Sequence, residues 1–394
     1  MNLAEYTKRS PGRLLKQGSG EAAYHAFVPH LLPPVLDFDL PFVNTLTEAT
    51  HALGELAGLA RTLTNPYLFI RPFMGREAVA SSRIEGTEAD LNELYVYEAG
   101  QRVIAGMTPP PAASDVKEVY NYVQALEYGL QRLETLPLSL RLIREIHKHL
   151  LSGVRGEHAT PGEFRRTQNW IGPPGCTLNQ ADFVPPPAPE MTEALGELET
   201  YLHREDDPYP NLIRLALIHY QFEAIHPFID GNGRVGRLLL AMLAVHWGLI
   251  PQPLLYLSAF FEARRQEYYD LLMAVSTAGA WREWVVFFLQ AVTNQSRDAI
   301  SRVQLLQDLQ ADWHQRVTRG RASAKLLQLL DILFGSPVIS IPEAQSLLGM
   351  TYHGAQQNVL KLVEHGILTQ MGEATYGRLY VASAVMDILR DSAT

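Results

Sequence analysis

The chain has 394 residues, a formal charge of -9, 47% hydrophobic and 19% charged residues, a profile that excludes a single small domain, a disordered chain and a protein with broad affinity for polyanions. One cysteine, Cys176, closes no intrachain disulfide and supplies no thiolate cluster for a metal. Met1 to Gly18 is basic without an apolar core, and the most apolar run, Val235 to Ile250, is broken by Arg237, His246 and Gly248; neither a secretory signal nor a membrane segment is expected, and a cytoplasmic location follows as an expectation.

In chain order, Pro29, Pro33, Pro34 and Pro41 mark an irregular arm, and Val43 to Leu63 then carries apolar residues at helical spacing. Met107 to Asp115 reads as a stiff proline-rich connection with a boundary near Pro111, and Ser114 or Asp115 is placed to cap a helix running through Leu130. Amphipathic or largely apolar helices are predicted over 138–151, 189–203, 211–226, 234–247 and 264–275. Asn169 to Pro185 interrupts them with two short β-prone pieces around a Gly/Pro turn, which predicts a hairpin. Near the carboxyl end, helices over 323–334, 341–348 and 351–364 precede alternating stretches at 367–371 and 378–382, the order of a winged helix-turn-helix. The reading is a mainly α protein in three parts: an N-terminal helical region 1–112, a helical bundle with a β-hairpin at 113–300, and the winged unit at 320–394.

The chemistry concentrates in His226-Pro-Phe-Ile-Asp-Gly-Asn-Gly-Arg-Val-Gly-Arg237, between the end of one predicted helix and the start of the next. Gly231, Asn232 and Gly233 can turn successive amides inward, and the helix that follows offers its positive end to an anion. Arg234 and Arg237, three positions apart, suit bidentate grips on two phosphates, so a triphosphate fits. Val235 and Gly236 complete this nucleotide-binding stretch. Asp230 offers the single hard carboxylate that Mg2+ uses beside phosphate oxygens. His226 is suited to take a proton from a serine, threonine or tyrosine hydroxyl as that oxygen attacks phosphorus.

These twelve residues meet every fixed position of the motif His-Pro-Phe-x-Asp-Gly-Asn-Gly-Arg-x-x-Arg, and on them the chain resembles the Fic family. The resemblance implies a Fic-fold bundle and transfer of AMP from ATP to a protein hydroxyl. It implies His226 as general base, Asp230 as magnesium ligand, and the glycines and arginines as phosphate cradle. Relatives that transfer phosphate or phosphocholine tend to depart from one or other loop glycine, or to carry different partner loops; Gly231 and Gly233 keep the AMP-transfer form. Residues 169–185 correspond to the family's flap, which holds the target protein by strand addition. Upstream, Ser81-Ser-Arg-Ile-Glu-Gly86 is similar to the family's inhibitory motif, which implies that Glu85 pairs with Arg237 and that Ser81 steadies the helix end; the alternative is an ordinary helix end closed by Gly86. Leu255 to Leu272 is similar to a later helix bordering adenine and ribose, where Tyr268 and Tyr269 either flank the nucleotide or pack. Relatives with this brake often modify themselves, so self-modification is expected, and a homodimer is a further expectation.

Three other readings compete. His219, Glu223 and His226 share one helical face and could form a metal site, although the zinc-protease spacing differs. His147, His149 and His246 read as packing or surface residues. The winged unit could bind DNA through 351–364, but from Arg321 onward five basic residues face six acidic ones, which suits a protein-docking or dimerising module equally well. The same site could instead remove AMP, with the inhibitory glutamate activating water.

Overall fold

The computed structural model describes residues 1–20, 23–63, 65–103, 114–154, 158–173, 175–319, 322–372 and 377–390, leaving aside the side chains of 101–103. Its first feature is one the sequence reading missed. Strands β1 (Gly12–Gln17) and β2 (Tyr24–Pro29) form an antiparallel hairpin with Gly12 opposite Pro29 and Gln17 opposite Tyr24. The signal was Gly18-Ser-Gly20, whose two glycines both take positive φ.

Helix α1 (Leu40–Thr62) starts where Asp39 accepts from the Phe42 amide at 2.9 Å, and it buries Phe42, Ala49, Leu53, Leu56 and Ala60. Helix α2 (Tyr67–Ile84) is buried along most of its length, Glu77 included, and so lies within the core rather than on it. After α3 (Leu91–Val103), α4 (Ser114–Arg132) and α5 (Leu140–Leu150) come α6 (Ala188–Leu202), α7 (Asn211–Ile225) and α8 (Asn232–His246). Helices α7 and α8 are apolar on nearly every face, as expected of helices with neighbours all round. The expected boundary near Pro111 lies outside the described residues. Asp115 does not cap its own helix; its carboxylate accepts from the Glu88 amide at 2.9 Å.

The segment from Leu255 is not one helix. It breaks at Arg264 into α9 (Ser258–Ala263) and α10 (Arg265–Ala278). Helix α11 (Trp281–Thr318) then runs unbroken through residue 300 for about 57 Å and packs along α1. Three helices follow, α12 (Ala324–Gly335), α13 (Ile341–Leu348) and α14 (Tyr352–Glu364), capped by Ser323, Ser340 and Thr351. Strands β3 (Val338–Ser340), β4 (Thr369–Met371) and β5 (Leu379–Val381) form an antiparallel sheet in the order β3-β5-β4, and α15 (Ser383–Leu389) ends the description. Residues 373–376, between the alternating stretches expected at 367–371 and 378–382, lie outside the described residues. One continuous apolar core reaches from Phe27 to Leu389, so the three parts share an interior.

The expected hairpin at 169–185 is corrected. Its two arms meet in a single antiparallel bridge between Ile171 and Phe183, and Leu178–Gln180 forms a short 3-10 turn. Prolines explain the short pairing. Pro173 on one side and Pro185, Pro186 and Pro187 on the other have no N–H with which to extend a ladder.

Candidate active site

Helix α7 ends on His226, which takes the left-handed conformation (φ 48°, ψ 62°). A non-glycine residue holds that conformation only when its surroundings fix it. Here the backbone is fixed by donors from another segment. Arg165, almost fully buried, donates Nε to the His226 carbonyl at 2.9 Å, and its backbone amide donates to the Pro227 carbonyl at 2.9 Å. Asn169 donates to the Phe228 carbonyl at 2.8 Å. Nothing in the sequence marked Arg165 or Asn169, because their partners are backbone atoms some sixty positions away.

The loop is also pinned from inside. Asn232 accepts from the Phe228 amide at 2.8 Å and donates to the Phe228 carbonyl at 2.9 Å. His147, read from sequence as packing or surface, is a loop support. Its Nδ1 accepts from the Gly162 amide at 2.8 Å, which leaves Nε2 to donate to the Asp230 carbonyl at 3.0 Å, while its ring stacks on Phe228. Burial pushes this histidine down to about 4, so it stays neutral and keeps that tautomer. Replacing Asn232 with alanine strands buried polar groups of Phe228, and Asn232→Ala is expected to lose about 2 kcal/mol in urea unfolding.

Gly231, at φ 81°, turns the chain into α8 without a side-chain cap. The amides of Asn232, Gly233 and Arg234 at the start of α8 have no intrahelical acceptor and face the loop. Asp230 is partly exposed; one oxygen accepts from the Gly231 amide at 2.6 Å. Among the described residues no group of three His, Cys, Asp or Glu could hold a metal unaided. A cation here would need further oxygens from a bound phosphate, which is how Mg2+ usually sits. His219, the other candidate ligand, spends Nε2 on the Tyr268 hydroxyl at 2.8 Å.

The two arginines differ. Arg234, expected to grip a phosphate, is buried against Glu118 at 3.1 Å, so its charge is already matched inside the fold. Arg237 is also buried but reaches the cavity. Its Nη2 donates to Glu85 Oε1 at 2.7 Å and to the Ser81 carbonyl at 2.9 Å, and its Nε donates to Ser81 Oγ at 2.8 Å. Ser81 therefore holds the arginine rather than the helix end. That end is closed by the Glu85 and Thr87 amides on the Ser82 carbonyl and by Gly86 at φ 92°. Burial would raise the Glu85 carboxyl, but the Arg237 guanidinium outweighs it and holds the group below its ordinary value.

These groups open on a cavity of about 970 Å³ lined by Glu85, His226, Gly233, Arg237, Tyr269 and the flap residues Trp170 to Gly172 and Asn179 to Phe183. His226 Nδ1 lies 3.3 Å from the Glu223 carbonyl, an acceptor only, so Nδ1 carries the proton and Nε2 is the free base. Burial pushes this imidazole down to about 4. Both tyrosines line the cavity: Tyr268 is buried and stacked on Phe261, while the half-exposed Tyr269 donates to the Ile84 carbonyl at 3.3 Å, next to Glu85.

Residues 43–131 match the Fic/DOC family N-terminal model and residues 137–244 match the Fic/DOC family model, together half of the chain. Curated relatives named protein adenylyltransferase Fic include one from Culex quinquefasciatus, 32% identical over 151 residues, and one from Drosophila grimshawi, 31% identical over 172. These matches span 38% and 43% of this chain but only 27% and 32% of those relatives' length. Among solved structures, a Fic family protein from Desulfovibrio desulfuricans G20 superposes with a TM-score of 0.56 at 21% identity, covering 89% of this chain and 98% of that one. A Fic domain containing signaling protein from Bacteroides thetaiotaomicron gives 0.50 at 19% identity, covering 65% and 95%. The loop that His147, Arg165 and Asn232 hold in place carries the complete motif within the matched residues, and the chain belongs to the Fic/DOC family.

Proposed function

We propose that this protein transfers AMP from ATP to a serine, threonine or tyrosine hydroxyl of a protein, releasing diphosphate, and that Glu85 restrains the reaction. The observation that carries the reading is the placement of Glu85. Its carboxylate lies over Gly233 and on Arg237, against the α8 amides where an anion would seat. A carboxylate in that position does what a terminal phosphate would do, so the nucleotide must displace it or bind misaligned.

Chemically, His226 Nε2 takes the proton of the incoming hydroxyl as its oxygen bonds to the α-phosphorus and the bond to the diphosphate oxygen breaks. The α8 amides and Arg237 stabilise the charge gained by the phosphates. Mg2+, when bound through Asp230 and phosphate oxygens, would neutralise charge on the leaving diphosphate. The target's backbone would pair beside Ile171, where the flap's single bridge leaves strand edge unused. That target is a hydroxyl-bearing protein, a second copy of this chain in a homodimer included, and a cytoplasmic setting fits the single cysteine. The winged unit is read as a docking module, since α14 has exposed Tyr352 and Leu360 but only Lys361 as a basic residue.

Two measurements bear on this. With Glu85→Gly protein, label at the α-phosphate of ATP should enter protein while label at the γ-phosphate does not; the opposite pattern assigns phosphate transfer instead. Because a general base acts when neutral, and burial places His226 near 4, the rate at saturating ATP should rise as pH climbs through about 4 and stay level through neutrality. A rise centred near neutral pH would contradict the assignment of His226 as a buried, depressed base.

A further inference from the structure

Helix α8 carries two glycines, Gly233 and Gly236, three positions apart on neighbouring parts of its surface. Each makes room for a carboxyl oxygen. A methyl group at Gly233 would overlap Glu85 Oε1, and one at Gly236 would overlap Glu223 Oε1. Two carboxyls from different helices thus approach α8 one helical turn apart, and both line the cavity that Arg237 lines. Only one of them is spent. Glu85 Oε1 accepts from Arg237, whereas Glu223 Oε1 is buried with no hydrogen-bond partner.

We propose that Glu223 is a positioning residue for Arg237, a second carboxyl that is neutral while Glu85 holds the guanidinium and becomes its counter-ion once Glu85 withdraws. This deepens the reading of Glu85 as a removable brake and rests on it. The physical need comes from Arg237, whose side chain is only 2% exposed. A guanidinium so buried requires an anion beside it in every state of the site. Glu85, 32% exposed at the end of α2, is the partner that can leave. Glu223 is built into α7 and cannot.

The groups facing Glu223 support the exchange. Arg237 on α8 and Glu85 at the end of α2 are the charged ones; His219 and His226 on its own helix are held neutral by burial, and Tyr268 faces it from α10. Burial first, and then the Glu85 carboxylate, push Glu223 up to about 8 against the pull of Arg237. Removing Glu85 deletes one of the two upward influences and frees the guanidinium, so Glu223 gives its proton to solvent through the cavity. When a triphosphate then binds Arg237, its negative charge restores the upward influence and Glu223 takes a proton back. Nucleotide binding to the released enzyme is therefore coupled to proton uptake, and affinity falls by up to about tenfold per pH unit across neutrality.

The test uses the full chain as Glu85→Gly and as Glu85→Gly/Glu223→Gln. Binding of ATP with saturating Mg2+ is followed by calorimetry near neutral pH, in buffers of different ionisation enthalpy. The first protein should take up a proton and lose affinity as pH rises; the second should take up none and hold its affinity. Equal uptake and equal pH slopes in both proteins overturn the inference. A second readout needs no nucleotide. The infrared band of a protonated carboxyl, assigned by its loss in Glu223→Gln, should be present in wild type near neutral pH and absent in Glu85→Gly. A band unchanged by Glu85→Gly also overturns the inference. A band that responds as expected in a protein that binds no ATP keeps the carboxyl exchange and overturns the adenylyl-transfer reading instead.

Discussion

Glu85→Gly protein should transfer AMP about a hundredfold faster than wild type. At about 4 Å and an effective dielectric near 20, a carboxylate and a guanidinium attract by about 4 kcal/mol. The Glu85–Arg237 contact is closer, at 2.7 Å, but Glu85 is 32% exposed and solvent screens it. Desolvation of the arginine subtracts more. A net of about 2.7 kcal/mol is a reasonable magnitude, and it corresponds to the hundredfold effect. Glycine is preferable to alanine in this test, because Glu85 immediately precedes Gly86 at the end of α2, where a residue without a side chain leaves Gly233 and Arg237 open. The check is the initial rate of label incorporation at equal protein concentration. Thermal unfolding of both proteins shows whether the fold is retained, since Ser81 still holds Arg237 in the variant.

Removing His226 from the released enzyme should cost about a thousandfold or more, toward the upper part of the range for loss of a positioned base. Burial depresses this imidazole so far that it is neutral across the physiological range, and its tautomer is set by the Glu223 carbonyl. Glu85→Gly/His226→Ala keeps the cradle, Arg237 and Asp230, so ATP should bind as in Glu85→Gly while incorporation falls to background. A loss of binding in parallel with rate would mean that His226 acts through the shape of the loop. The left-handed backbone at His226 makes that outcome worth separating, because alanine is less tolerant of it than glycine.

The motif 226–237 was legible because it is short and local. The structure sets Gly231 at the entry to α8 and His226 on the cavity. Helices α5 to α8 and α12 to α14 were legible from apolar periodicity, to within two residues at each end. What escaped depends on long-range partners. Arg165 looks like any surface arginine until the His226 and Pro227 carbonyls are folded over it. The buried pairing of Arg234 with Glu118 was not legible because Glu118 lies 116 positions earlier. His147 read as packing for the same reason; its acceptor and donor come from Asp230 and Gly162. The flap was overcalled as a hairpin because β-propensity was weighed without counting the prolines, which leave one bridge. Helix α11 was missed although its buried face runs from Trp281 through Val317, since its polar face interrupts any apolar run.

The central claim is that one site joins a transferase to its own brake, and one labelling experiment tests it most directly. Wild type, Glu85→Gly and Glu85→Gly/His226→Ala proteins are incubated with Mg2+ and α-labelled ATP, alone and with cell extract, and label in protein is followed with time. Strong incorporation by Glu85→Gly, weak incorporation by wild type and none by the double variant is the predicted result. No label with any of the three, under either condition, would contradict the account and move the weight to AMP removal or to a binding role.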